Sequence, residues 1–352
     1  MNRECFNLNG KEEIIKAIEF NGPAYLPCLI DVDFMFLHEK DTQKELRIRE
    51  LLTLTNRDCC NIMGCSLDSV EVVNNIVYKD DEWGVKWLDD GHGMFTTYHP
   101  LEDGYEFAYR VNFPNPENQE RFKTADLILE SRTNKYMVGT VWFTLFERLW
   151  MLRGFENMMM DPYAETEAFL DLKERIMQVN LGMIDQWLLR DVDGVFFSDD
   201  WGSQKSLLIS PSDWRKYYKE DYARMFSRVK QAGKHVWMHL CGNVESIIPD
   251  LIEIGLNVLN PVQPQAMSIS ELGKQYGGKV CFDGGVDIQG TMLNGNANDV
   301  KHELRSLVNT FGAYNGGYIA NTSHTIMPET PLDNIIALLE AVLEYGNRIS
   351  VP

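Results

Sequence analysis

The second half of the chain repeats one pattern, in which a short apolar run ends in a polar loop and is followed by an amphipathic segment with helical spacing. Such runs occur at 194–202 (GVFFSDDWG), 235–242 (HVWMHLCG), 256–263 (LNVLNPVQ), 279–287 (KVCFDGGVD) and 316–324 (GGYIANTSH). Buried strands that alternate with helices in this way predict parallel β/α units. Earlier strands are predicted at 27–33 (PCLIDVD), near 69–78, and at 136–143 (YMVGTVWF).

These units favour a (β/α)8 TIM barrel, an α/β fold in which the whole chain, 1–352, forms a single domain. A nucleotide-binding doubly wound sheet has little support, because no GxGxxG follows a strand and no GxxxxGK[ST] occurs. The pattern changes at about 78–112, where polar and apolar residues alternate with glycines and aromatics. That segment predicts a β-hairpin insertion in the N-terminal third of the barrel.

Composition excludes several classes of function. A formal net charge of −19 argues against nucleic acid as a partner. The sequence has no run of about 18 apolar residues, so we expect no membrane span, and its first thirty residues lack the features of a secretory signal. We therefore expect a cytoplasmic protein whose seven scattered cysteines are reduced thiols, each of them a core residue, a ligand or a nucleophile.

The polar residues that could carry chemistry stand where the predicted strands end. In a barrel these positions meet at one end although they are distant in sequence. They are Asp199, Asp200, Trp201, His239, Cys241, Asn260, Gln263, Asp283, Asp287 and His324. Because side chains alternate along a strand, His239 and Cys241 are expected on the same side, facing the barrel mouth.

Imidazole and thiolate together are typical zinc ligands, and a catalytic zinc site uses three protein ligands. His239 and Cys241 would supply two of them and His324 the third. Asp199, Asp200, Asp283 or Glu147 would add an oxygen ligand or a partner that orients an imidazole. On the pattern alone, His-x-Cys fits equally well with a hydrogen-bonded histidine beside a core cysteine, and Asp199-Asp200 with a helix cap.

Four segments, in the same order, resemble the uroporphyrinogen decarboxylase superfamily: HVWMHLCGN, DLIEIGLNVLNPVQP, GGKVCFDGGVDIQGTM and GGYIANTSHTIMPETPLDNIIALLEAV. Within it, the chain is most similar to the cobalamin-linked methyltransferase branch, which includes methylcobamide:coenzyme M methyltransferases. In the methyltransferases that it resembles, a His-x-Cys pair and a distant cysteine hold zinc. His239 and Cys241 match the pair, and His324 stands where those enzymes have the cysteine.

The resemblance implies a zinc-dependent methyltransferase that exchanges a methyl group between a small substrate and a corrinoid (cobalamin) carried on a partner protein. The substrate would be a thiol, a methyl ether or a methylamine-like compound. Catalytic roles would belong to Asp199, Asp200, Asp283 and Glu147, and an apolar substrate wall to Phe146, Trp201 and Tyr318. A homodimer is compatible with the sequence.

Two other functions stay open from the sequence. One is a decarboxylase or lyase acting on a small acid, as in the decarboxylases of the superfamily. Those enzymes use arginines near the first strand, whereas this chain has no arginine between Glu4 and Leu46. The other is a non-catalytic barrel that binds a corrinoid protein.

Overall fold

The computed structural model describes residues 9–35, 37–55, 58–64, 68–73, 76–89, 94–131, 134–164 and 166–348. The strands are β1 (Cys59–Met63), β2 (Ser69–Val73), β3 (Ile76–Asp80), β4 (Lys86–Asp89), β5 (Met94–Tyr98), β6 (Tyr136–Val141), β7 (Gly194–Ser198), β8 (His235–His239), β9 (Val258–Val262), β10 (Cys281–Val286) and β11 (Tyr318–Thr322).

The α-helices are α1 (Gly10–Ile18), α2 (Thr42–Thr55), α3 (Lys123–Glu130), α4 (Phe146–Arg153), α5 (Phe155–Ala164), α6 (Glu167–Leu189), α7 (Pro211–Tyr217), α8 (Lys219–Gln231), α9 (Ile248–Glu253), α10 (Ile269–Tyr276), α11 (Thr291–Asn294), α12 (Ala297–Phe311) and α13 (Leu332–Arg348). Short 3-10 helices lie at Tyr105–Arg110, Gln119–Phe122 and Glu245–Ile247. Among the described residues, no helix combines the length and the apolar character needed to cross a membrane.

A parallel sheet forms the centre of the fold. Within the ranges given above, seven strands pair in the order β1, β6, β7, β8, β9, β10, β11. Residues 27–29 close the circle: the Leu29 N–H donates to the Ala320 carbonyl at 2.9 Å, and the Ala320 N–H to the Pro27 carbonyl at 2.8 Å. On the other side, the Asp58 N–H donates to the Cys28 carbonyl at 3.0 Å. The TIM-barrel prediction is confirmed, but the strand predicted at 27–33 is not formed, because this segment contributes only an isolated bridge between Cys28 and Ala320.

Strand alternation fills the barrel interior with large apolar side chains. Tyr136, Phe196 and Trp237 are at most 4% exposed and belong to one cluster with side chains from β9, β10 and β11. Ile14 and Ala17 of α1 belong to the same cluster, so this helix covers the N-terminal end of the strands. The opposite end, where the strands finish, is left for polar side chains.

The five strand predictions of the second half are confirmed as β7 to β11, and the strand predicted at 136–143 as β6. The segment with helical spacing after β7 begins a helix at Pro211, because the Ser210 hydroxyl accepts the Asp213 N–H and Pro211 occupies the first turn. It is interrupted at Tyr218, where the backbone leaves the helical region with φ of −131°.

The strand predicted near 69–78 is not part of the barrel. Ser69–Val73 instead pairs with Ile76–Asp80 in a second, antiparallel sheet of order β2, β3, β4, β5, and its five residues are all exposed. Cys59–Met63 takes the barrel position. The β-branched residues of 69–73 suit any strand, but no helix follows them to bury a parallel one. The insertion therefore starts about ten residues earlier than predicted and has four strands; residues 90–93 of it lie outside the described ranges.

The antiparallel sheet packs against the barrel near the end of β6. The Trp87 ring stacks on Phe143 with 5.7 Å between centroids. The Arg148 guanidinium pairs with Asp81 at 2.8 Å, and both side chains are at least nine-tenths buried. These contacts fix the insertion beside the barrel mouth.

We predict that Gly139→Ala lowers the free energy of unfolding by about 1–3 kcal/mol, because a methyl group at this position of β6 would overlap the buried Trp187 ring of α6. Urea unfolding measures the change. Gly64→Ala is the matched control: the nearest atom to its added methyl group is the Arg121 Cγ at 3.5 Å, an ordinary contact. Equal stability of the two variants would contradict the close packing of β6 on α6.

Candidate metal centre

Three potential ligands converge at the C-terminal end of the barrel. His239 ends β8, Cys241 follows two residues later, and His324 lies just after β11. One ligand atom from each residue lies within 4.8 Å of the others. The Cys241 Sγ is 3.3 Å from the His239 Nε2, close to the roughly 3.5 Å between S and N ligands of a tetrahedral zinc ion. Within the described chain, these three residues form a group that could hold a metal ion.

The orientation of His239 is fixed by two polar side chains from neighbouring strands. The Asn260 Nδ2 donates to the Asp283 carboxylate at 2.7 Å, which leaves its Oδ1 facing the His239 Nδ1, also at 2.7 Å. That oxygen can only accept, so the Nδ1 carries the proton. The lone pair of Nε2 is then directed at the Cys241 side, as a metal ligand requires.

The electrostatic surroundings suit a cation. Asp200 accepts the Cys241 N–H at 2.9 Å, and its carboxylate lies 3.8 Å from the His239 Nε2. Burial and the Asp200 charge raise the pKa of the Cys241 thiol, so a cation would be needed to favour the thiolate. Partial burial and the nearby His239 lower the pKa of His324 and favour the neutral imidazole that binds metals.

Asp199 plays a different part from its neighbour Asp200. Its fully buried carboxylate accepts the backbone N–H groups of Leu145, Phe146 and Glu147 at 2.7–2.8 Å, and also the Tyr222 hydroxyl. These three N–H groups lie at the start of α4, where a helix has no internal acceptors for them. Asp199 therefore anchors the N-terminus of α4 to the end of β7.

Glu147 is a buried carboxyl at the start of α4. It is 7% exposed, and its Oε2 has no hydrogen-bond partner among the described residues. Burial, followed by the charges of Asp199 and Asp200, raises the pKa of Glu147 to about 9. The carboxyl is therefore protonated at neutral pH and can hold or release a proton near Cys241, whose pKa its charge would raise.

The three aromatic residues expected to form a substrate wall pack inside the fold. Phe146 and Trp201 stack with centroids 4.0 Å apart and are at most 1% exposed. Tyr318 is directed toward α12, where its ring lies 5.8 Å from Phe311, and its hydroxyl donates to the Gly284 carbonyl at 3.0 Å. The structure thus brings together His239, Cys241, His324 and Asp200, with Asp283 behind Asn260.

Two residues beside the centre were not among the predicted site residues. Trp142 follows β6, is 45% exposed, and its ring centroid lies 6.2 Å from that of His239. Alternation with the inward-facing Val138 would have placed it at the mouth. Asn260 was noted only as a strand-end residue, but it is paired in register with His239 across β8 and β9.

We predict that the parent protein loses stability relative to Glu147→Gln as the pH rises from about 5 to about 9. The folded protein keeps the Glu147 proton up to pH about 9, whereas the unfolded chain releases it near the ordinary value of 4.5. Raising the pH through this window therefore favours the unfolded state, and glutamine has no proton to release. Urea unfolding at pH 5, 7 and 9 measures the difference. Glu156→Gln, at an exposed position of α5, is the control; a parallel pH dependence of both variants and the parent would contradict a neutral Glu147.

Sequence and structure comparisons agree with this architecture. A protein named uroporphyrinogen decarboxylase, from Legionella pneumophila (strain Corby), is 25% identical over 295 residues, 80% of each chain. Another of that name, from Coxiella burnetii (strain Dugway 5J108-111), is 21% identical over 193 residues, 54% of this chain and about half (51%) of that protein. The solved structure of a methyltransferase from Methanosarcina mazei is 16% identical and superposes with a TM-score of 0.68, covering 96% of this chain and 98% of that one.

The structural similarity shows the fold over nearly the whole chain. The family model for Uroporphyrinogen decarboxylase (URO-D) matches residues 139–345, which include the second half of β6, all of β7 to β11 and all three candidate ligands. More than half of the sequence is therefore covered by one family, and the chain belongs to the uroporphyrinogen decarboxylase (URO-D) family.

Proposed function

We propose that this protein is a zinc-dependent methyltransferase that exchanges a methyl group between a small substrate and a corrinoid carried on a partner protein. The observation that carries the proposal is the convergence of His239, Cys241 and His324 within 4.8 Å at the barrel mouth. An imidazole–thiol–imidazole set suits zinc and leaves one position for a substrate. The methyltransferase of similar fold supports this branch of the family.

In the proposed site, His239 would bind the metal through Nε2, Cys241 through its sulfur, and His324 through its imidazole. When bound, zinc would supply Lewis-acid chemistry at the heteroatom of the substrate, and the corrinoid would supply the cobalt that exchanges the methyl group. The substrate would be a thiol, a methyl ether or a methylamine-like compound. Reduced cysteine is required here, which agrees with the expected cytoplasmic location.

The protein's own residues would orient the site and manage its protons. Asp283 and Asn260 hold the His239 imidazole in one tautomer, through two hydrogen bonds of 2.7 Å. The Asp200 carboxylate fixes the Cys241 backbone at 2.9 Å and adds negative charge beside the ligands. Glu147, neutral at pH 7, would act as a general acid and give its proton to a departing heteroatom. Asp199 would act as a positioning residue, because it holds the helix that carries Glu147.

We predict that the purified protein binds about one zinc ion per chain, and that His239→Ala and Cys241→Ser each reduce this to a small fraction. Asn260→Ala should weaken zinc binding by about 10- to 100-fold, because it frees the imidazole to rotate. Metal analysis and competition with a chromogenic chelator measure these changes. Cys60→Ser, at a partly buried cysteine of β1 outside the ligand group, is the matched control. Zinc binding that survives both ligand substitutions would exclude this centre.

We also predict methyl transfer between free cobalamin and a small substrate, measured by the absorbance change between methylated and unmethylated cobalamin. Methylcobalamin would be tested with thiols, and reduced cobalamin with methyl ethers and methylamines. Activity should fall by at least about 100-fold in Cys241→Ser, since zinc binding would be lost and the reaction depends on it. The Cys60→Ser variant should keep the parent rate.

Two rival functions would give different results. The names of the Legionella and Coxiella relatives favour a decarboxylase, although the absence of arginine from Glu4 to Leu46 and the net charge of −19 disfavour a substrate with many carboxylates. Release of CO₂ from a tetrapyrrole would support that function. A non-catalytic barrel would capture a corrinoid protein in a pull-down, without methyl transfer and with normal binding by His239→Ala.

A further inference from the structure

A cavity lies beside the candidate metal centre, between the antiparallel sheet and the ends of β1 and β6. Its volume is about 580 Å³, within the range of about 300–1,000 Å³ that is typical of small-molecule sites. Its walls are rich in aromatic rings, namely Trp83, Trp87, Trp142 and Phe143. Trp142 belongs to both places, because its ring centroid lies 6.2 Å from that of His239. The cavity therefore extends to the edge of the metal centre.

The charged side chains that line this cavity are paired with one another. Lys79 contacts Asp68 at 2.6 Å, and Arg148 contacts Asp81 at 2.8 Å. Arg121 binds Glu82 through both terminal guanidinium nitrogens. These six charges sum to zero, so the lining as a whole attracts neither a cation nor an anion strongly.

Three polar atoms in the lining are nevertheless unused. The Nε of Arg121, the Nε of Arg148 and the Oγ1 of Thr140 are buried and have no hydrogen-bond partner in the part of the chain that the structure describes. Their residues are 4%, 7% and 5% exposed. Buried polar groups without partners are rare because each one costs free energy. The residues that carry these three atoms all line one cavity, so a ligand with an acceptor group in that cavity is a candidate partner for them.

We propose that this cavity binds a small molecule with a flat, preferably aromatic, apolar body and an oxygen acceptor such as a carbonyl or carboxylate. The aromatic walls would stack on the body, and the two Nε–H groups and the Thr140 hydroxyl would meet the acceptor. This inference rests on the proposed function, since it assigns the cavity to the methyl-exchanging substrate. The substrate would reach past Trp142 toward the ligands of the metal.

Binding is tested on metal-free protein without any corrinoid, by calorimetry and by the fluorescence of the cavity tryptophans. The probes are benzamide, benzoate and 2-naphthoate, which carry an acceptor, and toluene, which does not. We expect saturable binding of at least one acceptor probe. Toluene should bind at least about tenfold more weakly than that probe. Equal affinity for toluene, or no saturable binding of any acceptor probe, would overturn the proposal.

Thr140→Val assigns the binding to this cavity, because valine keeps the shape of threonine and removes only the hydroxyl. We expect the affinity for the acceptor probes to fall by about tenfold, with a melting temperature equal to or above that of the parent. Thr97→Val, at an exposed position of β5 outside the cavity, is the matched control and should leave the probe affinity unchanged. A lower melting temperature of Thr140→Val with unchanged probe affinity would show that the hydroxyl serves the fold, and the proposal would fail.

Failure of this proposal can be told apart from failure of the proposed function. Cys241 does not line the cavity, so Cys241→Ser should lose zinc and still bind the acceptor probes. If the protein binds the probes but never binds zinc, the methyl-transfer mechanism is excluded and the cavity is still a small-molecule site. Zinc binding and methyl transfer without any binding of the acceptor probes would support the methyl-transfer mechanism and exclude the cavity as the substrate site.

Discussion

The closure of the strand ring at residues 27–29 is the constraint on which the site depends. Its backbone groups bond to Ala320 on one side and to Asp58 on the other. In a flat sheet β8 and β11 would lie three strand spacings apart, about 14 Å. In the closed ring, ligand atoms of His239 and His324 come within 4.8 Å of each other. The convergence of the candidate metal ligands is thus a product of curvature, since no local feature of either strand end creates it.

Much of this arrangement could be predicted from the sequence because it depends on local patterns. Short apolar runs fixed β7 to β11, and two-residue alternation correctly placed His239 and Cys241 on one side of their strand. Once a barrel is predicted, its topology brings the strand ends together without further information. The prediction was wrong in the insertion, where Ser69–Val73 has the composition of a buried strand and yet is exposed. Composition alone does not tell a parallel strand from one in an antiparallel sheet.

Other parts of the site depend on which side each strand residue faces, which a sequence reveals only when one inward residue is known. Phe196 lies in the barrel interior, so alternation assigns Asp200 to the mouth and Asp199 to the helix layer. Because the two side chains point in opposite directions, the Asp200 carboxylate lies beside the candidate ligands and the Asp199 carboxylate caps α4. The partnership of His239 with Asn260 depends likewise on the register between β8 and β9. Such register is a property of the assembled sheet.

The charge of the proposed centre explains how His324 can replace a cysteine there. Two thiolates and an imidazole would balance a divalent cation, whereas one thiolate and two imidazoles leave one positive charge. Asp200 supplies the missing negative charge, because its carboxylate lies 3.8 Å from the His239 Nε2 and is fixed by the Cys241 N–H. Glu147 is protonated at neutral pH and adds none. The centre would be electrically neutral with the metal bound, and the charge that a second cysteine would carry on the metal lies on a neighbouring carboxylate instead.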